Sequence, residues 1–236
     1  MTDNNFLITN SLNESLHIQG ITLFSTDFAV KHYHDNLYQQ LGITFAQDIK
    51  GAVNKRKAEY LAGRYAAAQA LKSFGVTRPT IPTGSDRSPI FPEGIVASIS
   101  HTNTTALCAA GLSKNIKHLG IDLETILNKT TINEVEHSII NGIEKEILVG
   151  LSMPYENAFS IVFSAKESLF KALYSNVKSY FDFSAAQLVH INENENLIEF
   201  KLNQELSPTL SKGTRINGTF CFNKTEVLTC IYAKKA

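Results

Sequence analysis

Tryptophan is absent from this sequence of 236 residues, and cysteine occurs only three times. Cys108, Cys221 and Cys230 lack the spacing of metal ligands, which favours reduced thiols in the core over a zinc site. A disulfide between Cys221 and Cys230 on neighbouring strands stays the alternative. No stretch approaches the roughly 20 apolar residues of a membrane span. The N-terminus has neither the basic start nor the long apolar core of a signal peptide, so we expect a cytoplasmic protein.

An excess of either charge is also missing, because 22 Lys and Arg residues balance 22 Asp and Glu residues. Proteins that coat nucleic acid carry a net positive charge, so this class is excluded and we expect no nucleic-acid partner. Any anionic ligand must therefore be bound by a local cluster of Lys and Arg. With 43% hydrophobic residues, the chain has enough apolar material for one large domain or two small ones.

Helical and β-type patterns are mixed along the chain, which predicts an α+β fold with helices packed on largely antiparallel sheets. The alanine-rich run from Lys55 to Phe74 predicts a helix that Gly75 ends, and residues 76–94, rich in Pro and Gly, predict a loop. The runs "IVASIS" and "TTALCAAGL", split by His-Thr-Asn, predict a hairpin. The further predictions are strands at "ITLFS" and "HLGIDLETI", a helical stretch at "VKHYHDNLYQQL", one or two helices within residues 132–151, a long helix from Pro154 to Tyr174, and strands in the last fifty residues.

The stretch "GIDLE" places two carboxylates on one face of a predicted strand. Ile121 and Leu123 face one side, while Asp122 and Glu124 face the other, about 7 Å apart by strand geometry. Such a pair repels unless a cation lies nearby, and Mg²⁺ is held by one or two carboxylates plus substrate phosphates. The alternative is an exposed edge with two solvated acids.

The stretch "FSAKESLFKAL" puts a lysine in the middle of an apolar helix face. Six apolar side chains lie within about 60° of Lys166 on either side, and Glu167 and Lys171 share the adjoining flank. A lysine there can extend to the surface, and Glu167 with Lys171 can be a surface ion pair. Joined to Asp122 and Glu124, however, these residues predict a site for a metal ion and phosphates.

The stretch "SISH" ends a β-type run with Ser100 and His101. A histidine at the end of a strand is often structural, but with neighbouring arginines it can bind a phosphate monoester. Arg56 and Arg64 lie eight residues apart on similar faces of the first long helix, and Arg87 lies in the loop before the histidine strand.

Taken in order, "KRKAEYLAGRYAA", "SISH", "GIDLE" and "FSAKESLFK" resemble the 4′-phosphopantetheinyl transferases, especially the branch of enterobactin synthase component D. The resemblance spans about residues 55–175, and Phe163 stands where many relatives have tryptophan. It implies two similar α/β halves related by a pseudo-two-fold, with the nucleotide in the cleft between them. Residues 1–115 would be the half with the nucleotide-side helix, loop and histidine strand, and residues 116–236 the half with the metal-binding strand and catalytic helix.

The resemblance also implies an activity: transfer of the 4′-phosphopantetheine arm of coenzyme A to a serine of a carrier protein, which leaves 3′,5′-ADP. Asp122, Glu124 and Glu167 would hold Mg²⁺ against the pyrophosphate. Glu167, or a metal-bound water near it, would take the proton of the serine, and Lys171 would stabilise or protonate the leaving phosphate. The residues implied to bind coenzyme A are Arg56, Arg64, Arg87, Ser100, His101, Asp122, Lys166 and Lys171.

The implied partners are apo peptidyl, aryl or acyl carrier domains, above all those of siderophore assembly, and the branch resembled is typically monomeric. Two other functions stay open. One is a Mg²⁺-dependent phosphohydrolase or nuclease, for which we would expect more acids and a water-activating base. The other is a non-catalytic binder of carrier proteins or nucleotides, for which intact metal-site acids are not needed.

Overall fold

The computed structural model describes residues 5–8, 16–223 and 225–235, so most of the N-terminal stretch considered for a signal peptide lies outside the described residues. The α-helices are α1 Leu37–Leu41, α2 Asn54–Lys72, α3 Lys129–Ile139, α4 Gly142–Val149 and α5 Tyr155–Val177. The strands are β1 Leu7–Ile8, β2 Ile21–Phe28, β3 Ile95–His101, β4 Thr105–Leu112, β5 Ile116–Thr125, β6 Ala186–Asn192, β7 Leu197–Leu202, β8 Arg215–Asn223 and β9 Glu226–Lys234.

The strands form two sheets with antiparallel pairing. One sheet has the order β1-β2-β4-β3, and the other has the order β5-β9-β8-β7-β6. The predicted α+β class, with helices packed on antiparallel sheets, is confirmed. The chain divides into two compact units, one with the described residues up to Ile116 and Lys235, the other with Lys117–Lys234. The halves predicted at residues 1–115 and 116–236, and the pseudo-two-fold between them, stay predictions.

In the first unit, α2 packs on strands β2, β3 and β4. Its small residues allow a close approach, since a Cβ added at Gly63 would lie 3.1 Å from the Ile99 side chain. The predicted helix and its end are confirmed: α2 stops at Lys72, and Gly75 follows with a φ of 80°, which glycine adopts without strain. Residues 76–94 are a loop, and the predicted hairpin of β3 and β4 is confirmed with His101 paired to Ala106.

In the second unit, α5 packs mainly on β9 of the five-stranded sheet. The long helix predicted from Pro154 is confirmed, and it continues three residues beyond the predicted end, to Val177. Residues 132–151 contain most of α3 and all of α4, so two helices are present there. A capping box begins α4, in which Asn141 and Glu144 bond to each other's main chain. The stretch "VKHYHDNLYQQL" is less helical than predicted, with one 3-10 turn and the short α1.

Among the described residues, no helix is long and apolar enough to cross a membrane. Cys108, Cys221 and Cys230 are free thiols, as the first interpretation of the three cysteines predicts.

Candidate active site

Gly120 brings α5 against β5 and thereby sets the geometry of the site. A Cβ at this position would lie 2.0 Å from the Ser168 carbonyl oxygen and 2.5 Å from the Ala172 nitrogen, which are distances no side chain tolerates. The main chain of α5 therefore rests directly on the strand, two residues before Asp122. This close approach explains why the chain has glycine at the start of "GIDLE".

Asp122 and Lys171 join the two elements by a short ion pair. The Lys171 ammonium lies 2.7 Å from Asp122 Oδ1 and donates to the Ile121 carbonyl oxygen at 3.1 Å. Asp122 is buried at 4% exposure, so the alternative of two solvated acids on an exposed edge is wrong for this residue. The lysine is half-buried and reaches the strand from α5, one turn after Glu167.

The carboxylates of Asp122, Glu124 and Glu167 act on one another electrostatically. Burial raises the pKa of Glu124 to about 7, with further increases from Asp122 and Glu167, while Lys171 lowers it. Burial also raises the pKa of Glu167, and the charge of Asp122 adds to that effect. Acids from two distant segments therefore lie close enough to raise one another's pKa, and a cation placed among them would relieve this repulsion.

The fit of this region to a metal ion depends on how many ligands the protein must supply. Within the described residues, no group of three or more His, Cys, Asp or Glu side chains is arranged to hold a metal ion by itself. Mg²⁺ does not require such a group, because it is usually held by one or two carboxylates, water and substrate phosphates. The donor set of carboxylate oxygens fits Mg²⁺ on these terms, as a site completed by its substrate.

Lys166 has protein partners for its whole ammonium group, contrary to the expectation that it contacts the bound anion. Its Nζ lies 2.7 Å from Glu144 Oε1 and donates to the carbonyl oxygens of Ile139, at 2.7 Å, and Phe183, at 3.2 Å. Its side chain and that of Glu144 are each 2% exposed. Burial lowers the pKa of Lys166 and the charge of Glu144 opposes that shift. We therefore correct its role from binding coenzyme A to joining elements of the fold.

Glu144 is a structural residue that the sequence patterns missed. Besides its ion pair with Lys166, it accepts from the main-chain nitrogens of Asn141, at 2.9 Å, and Leu188, at 2.7 Å. It thus links the start of α4, the middle of α5 and the start of β6. The Asn-x-x-Glu spacing signals a capping box, but nothing in the sequence indicates that the carboxylate also receives a lysine from α5.

A cavity of about 140 Å³ lies beside Glu167. Its walls include Phe170, Phe181 and Phe183 as well as the charged residues Lys166 and Asp182, and Tyr180 is 81% exposed at its edge. The cavity is therefore largely apolar and opens next to one of the candidate metal ligands.

In the first unit, the structure brings Arg56 and His101 together. Arg56 Nη1 lies 3.3 Å from His101 Nε2, and His101 Nδ1 lies 3.3 Å from the Thr102 carbonyl oxygen. A carbonyl oxygen only accepts, so the proton is on Nδ1 and Nε2 accepts from the arginine. Ser100 precedes the histidine on β3 and is buried.

Arg64 and Arg87 occupy different surroundings in the same unit. Arg64 is buried at 9% exposure, donates to the Ile81 carbonyl oxygen at 2.8 Å and lies over the Tyr60 ring. It lines a cavity of about 160 Å³ together with residues 79–83. Arg87 is exposed in the loop with a φ of 66°. Binding of a nucleotide phosphate by either arginine stays a prediction.

Two family models match this chain. The model of the 4′-phosphopantetheinyl transferase N-terminal domain matches residues 45–111, and that of the 4′-phosphopantetheinyl transferase superfamily matches residues 118–222. All the candidate residues described above lie in these two ranges.

Known proteins are similar to the chain over most of its length. Enterobactin synthase component D of Salmonella typhi is 36% identical over 75% of this chain and 72% of its own length. The protein of the same name from Escherichia coli (strain K12) is 34% identical over 78% of this chain and 85% of its own length. The 4′-phosphopantetheinyl transferase Svp of Streptomyces mobaraensis is 32% identical over 61% and 58% of the two chains.

Among solved structures, holo-[acyl-carrier-protein] synthase of Thermotoga maritima is similar with a TM-score of 0.39 and 13% identity, over 51% of this chain and 65% of that chain. A likeness of that size supports no conclusion about function. The family models and the relatives above 30% identity are sufficient to assign the family without this structural likeness. The chain belongs to the 4′-phosphopantetheinyl transferase superfamily, in the branch of enterobactin synthase component D, and is a 4′-phosphopantetheinyl transferase that acts on carrier proteins with coenzyme A.

Proposed function

We propose that the chain activates peptidyl or aryl carrier domains of siderophore synthesis, by transfer of the 4′-phosphopantetheine arm to a carrier serine with release of 3′,5′-ADP. The observation that supports the chemistry best is the meeting of Asp122, Glu124 and Glu167 beside Lys171, in a chain of this family. The siderophore assignment rests on similarity to enterobactin synthase component D at about 35% identity.

Mg²⁺ is the metal that we propose for this region, held by carboxylates among Asp122, Glu124 and Glu167, with substrate phosphates and water completing its coordination. When bound, it would neutralise the charge of the pyrophosphate and polarise the phosphorus under attack. The mutual repulsion of the three acids supports this assignment, because a divalent cation relieves it.

Glu167 and Lys171 are the catalytic residues in this proposal. A carboxylate whose pKa is raised toward neutrality is a better base than an ordinary one, so Glu167 would accept the proton of the carrier serine. Lys171 would release part of its contact with Asp122 and stabilise the leaving phosphate. Lys166 takes no part, because its ammonium group already has three protein acceptors.

The nucleotide end of coenzyme A would be bound by residues of the first unit. The Arg56–His101 contact supports this, since it holds the exposed Arg56 guanidinium at the end of the histidine strand, and a guanidinium matches the geometry of a phosphate. Ser100, Arg64 and Arg87 complete the proposed set. The cavity beside Glu167 suits the uncharged pantetheine arm, because aromatic and aliphatic residues form most of its wall beside the charged Lys166, Glu167 and Asp182.

Intact-mass measurement of an apo carrier domain, incubated with coenzyme A, Mg²⁺ and the protein, tests the proposal. We expect a gain equal to phosphopantetheine, and faster modification of an aryl or peptidyl carrier than of a fatty-acid carrier. Hydrolysis of coenzyme A without a mass gain would favour a phosphohydrolase. Absence of turnover, with carrier or nucleotide still bound, would favour a non-catalytic binder.

The Glu167→Gln variant tests the role of the carboxylate. Because it loses both a metal ligand and a base, we expect transfer to slow by about 10²–10⁴-fold while the protein still folds. Glu146→Gln is the matched control, since Glu146 is an exposed acid on α4. Transfer by Glu167→Gln at the rate of this control would contradict the assignment.

A further inference from the structure

Three hydroxyl groups meet in the core between α5 and β9. Thr229 Oγ1 lies 2.9 Å from Ser164 Oγ and 2.7 Å from Ser168 Oγ, on successive turns of the helix. Ser164 also donates to the main-chain oxygen of Asp122 at 3.2 Å. Ser164, Ser168 and Thr229 are each 0% exposed. We call this group the hydroxyl chain.

The protons of the hydroxyl chain have one order that serves every neighbouring pair. The Asp122 carbonyl oxygen only accepts, so the single proton of Ser164 points to it. Ser164 then accepts from Thr229, and Thr229 accepts from Ser168, whose Oγ also lies 3.2 Å from the Thr229 carbonyl oxygen. Buried hydrogen bonds in series strengthen one another, and Thr229 occupies the middle of the series.

The position of Thr229 in the sheet makes the hydroxyl chain unexpected. Val227 and Ile231, two residues before and after it on β9, belong to the apolar core that packs around α5. A third apolar residue would satisfy packing at this place equally well. The chain instead has a hydroxyl there, and matching hydroxyls at both helix positions that reach it.

The hydroxyl chain ends at the residue whose carboxylate meets the catalytic helix. Ser164 and Ser168 are on the segment of α5 that carries Glu167. The hydroxyl chain bonds this segment to the main chain of Asp122. Gly120 fixes the distance of closest approach between helix and strand, but it does not fix the sliding of one along the other. Directional hydrogen bonds fix the position of the helix along the strand. Small displacements at a metal site reduce activity strongly.

We infer that Thr229 is a positioning residue for the proposed phosphopantetheinyl transfer: its hydroxyl ties Ser164 and Ser168 of α5 to β9 and so holds Ser164 against the main chain of Asp122, which sets the spacing of the Glu167 and Asp122 carboxylates on which metal binding depends. The inference rests on the proposed function for its catalytic consequence. Its structural part concerns only residues of the second unit. Partners that orient metal ligands typically change metal affinity 10- to 100-fold when removed.

Thr229→Val and Thr229→Ser separate the hydroxyl from the volume of the side chain. Valine keeps the branched shape and lacks the hydroxyl, while serine keeps the hydroxyl. The measurement is Mn²⁺ binding by electron paramagnetic resonance in the presence of coenzyme A, with transfer rate against Mg²⁺ concentration as a second readout. We expect Thr229→Val to raise the half-saturating metal concentration about 10-fold or more, and Thr229→Ser to stay within about 2-fold of the parent protein.

Two controls distinguish positioning from loss of stability. Ile198→Val removes a buried methylene from β7 of the same sheet and lowers the melting temperature without touching the hydroxyl chain. Thr219→Val removes a hydroxyl from β8 that donates to the Asn196 carbonyl oxygen. Both should keep the metal midpoint of the parent protein. A Thr229→Val protein that loses stability like Ile198→Val, with an unchanged metal midpoint, would overturn the inference.

Two further arrangements keep the test decisive. If Thr229→Val fails to fold, Ser164→Ala replaces it under the same criterion, since it removes the bond to the Asp122 main chain and the bond to Thr229 while leaving Ser168 and Thr229 in contact. If the parent protein binds Mn²⁺ but transfers nothing, the proposed function fails while the metal midpoints still decide the role of Thr229.

Discussion

Two lysines five residues apart on α5 have opposite surroundings. Lys166 is enclosed by Glu144 and two carbonyl oxygens, whereas Lys171 is half-buried and reaches Asp122 beside the acids. A phosphate requires an accessible donor, so only Lys171 can meet one without a rearrangement of the fold. Helical periodicity places Lys166 on the apolar face correctly, but it does not reveal that the Glu144 carboxylate pairs with it there.

Removal of the Lys166 charge should therefore destabilise the fold strongly. In Lys166→Met, Glu144 keeps its charge in the core, and the loss should be about 3–5 kcal/mol of unfolding free energy. Lys145→Met is the matched control, because Lys145 lies 2.6 Å from Glu136 but is 52% exposed, and its loss should be at most about 1 kcal/mol. Urea unfolding measures both. Equal losses in the two variants would contradict the structural role of the buried pair.

At the scale of elements, the sequence predicts the pieces of the site but not their partners. The alternation in "GIDLE" and the helical pattern in "FSAKESLFKAL" predict β5 and α5, and the order of motifs predicts which acids meet. The sequence does not predict which strand lies beside β5. β9 follows α5 by about fifty residues, and no local pattern indicates that it pairs with β5. Thr229 and Leu188 were missed because their contacts with the helices arise only when the sheet assembles.

The β5 strand contains a further residue that periodicity did not mark. His118 is 6% exposed, two residues before Gly120, and neither ring nitrogen has a hydrogen-bond partner of good geometry within the described residues. Burial lowers its pKa, the charge of Lys117 lowers it further, and the main chain of Ala172 offsets part of the shift. The folded protein thus holds His118 in its neutral form.

Stability should consequently depend on pH through His118. As the pH falls below the histidine pKa of about 6.5 in the unfolded chain, the unfolded chain binds a proton at His118 and the folded chain does not. The unfolding free energy therefore decreases. Glu124, with its raised pKa, acts in the opposite direction between about pH 4.5 and 7, so the readout is a comparison of variants.

His118→Leu should flatten the decline in unfolding free energy between pH 7 and pH 5, by as much as about 1.4 kcal/mol per pH unit. His190→Leu, at an exposed position of β6, should leave the slope unchanged. Urea unfolding at each pH measures the slopes. A slope in His118→Leu equal to that of the parent protein would show that the histidine does not titrate on unfolding.

At the scale of the whole molecule, equal numbers of acidic and basic residues leave function to local arrangements of charge. The acids of the second unit repel one another. In the proposed function, a divalent cation bound together with substrate phosphates would relieve this repulsion. The structure without ligands is therefore less stable than the loaded one, and the difference is measurable.

Melting temperature should rise more with coenzyme A and Mg²⁺ together than the separate shifts predict, because each ligand completes the site of the other. A ligand at about 100 times its dissociation constant adds about 2.7 kcal/mol to the unfolding free energy, and each kcal/mol corresponds to about 2–4 °C for a chain of this size. Asp122→Asn should keep the shift caused by coenzyme A alone and lose the increment that Mg²⁺ adds, since it removes a charged ligand. Retention of the full Mg²⁺ increment in Asp122→Asn would mean that the metal binds elsewhere, and that the three acids have another role.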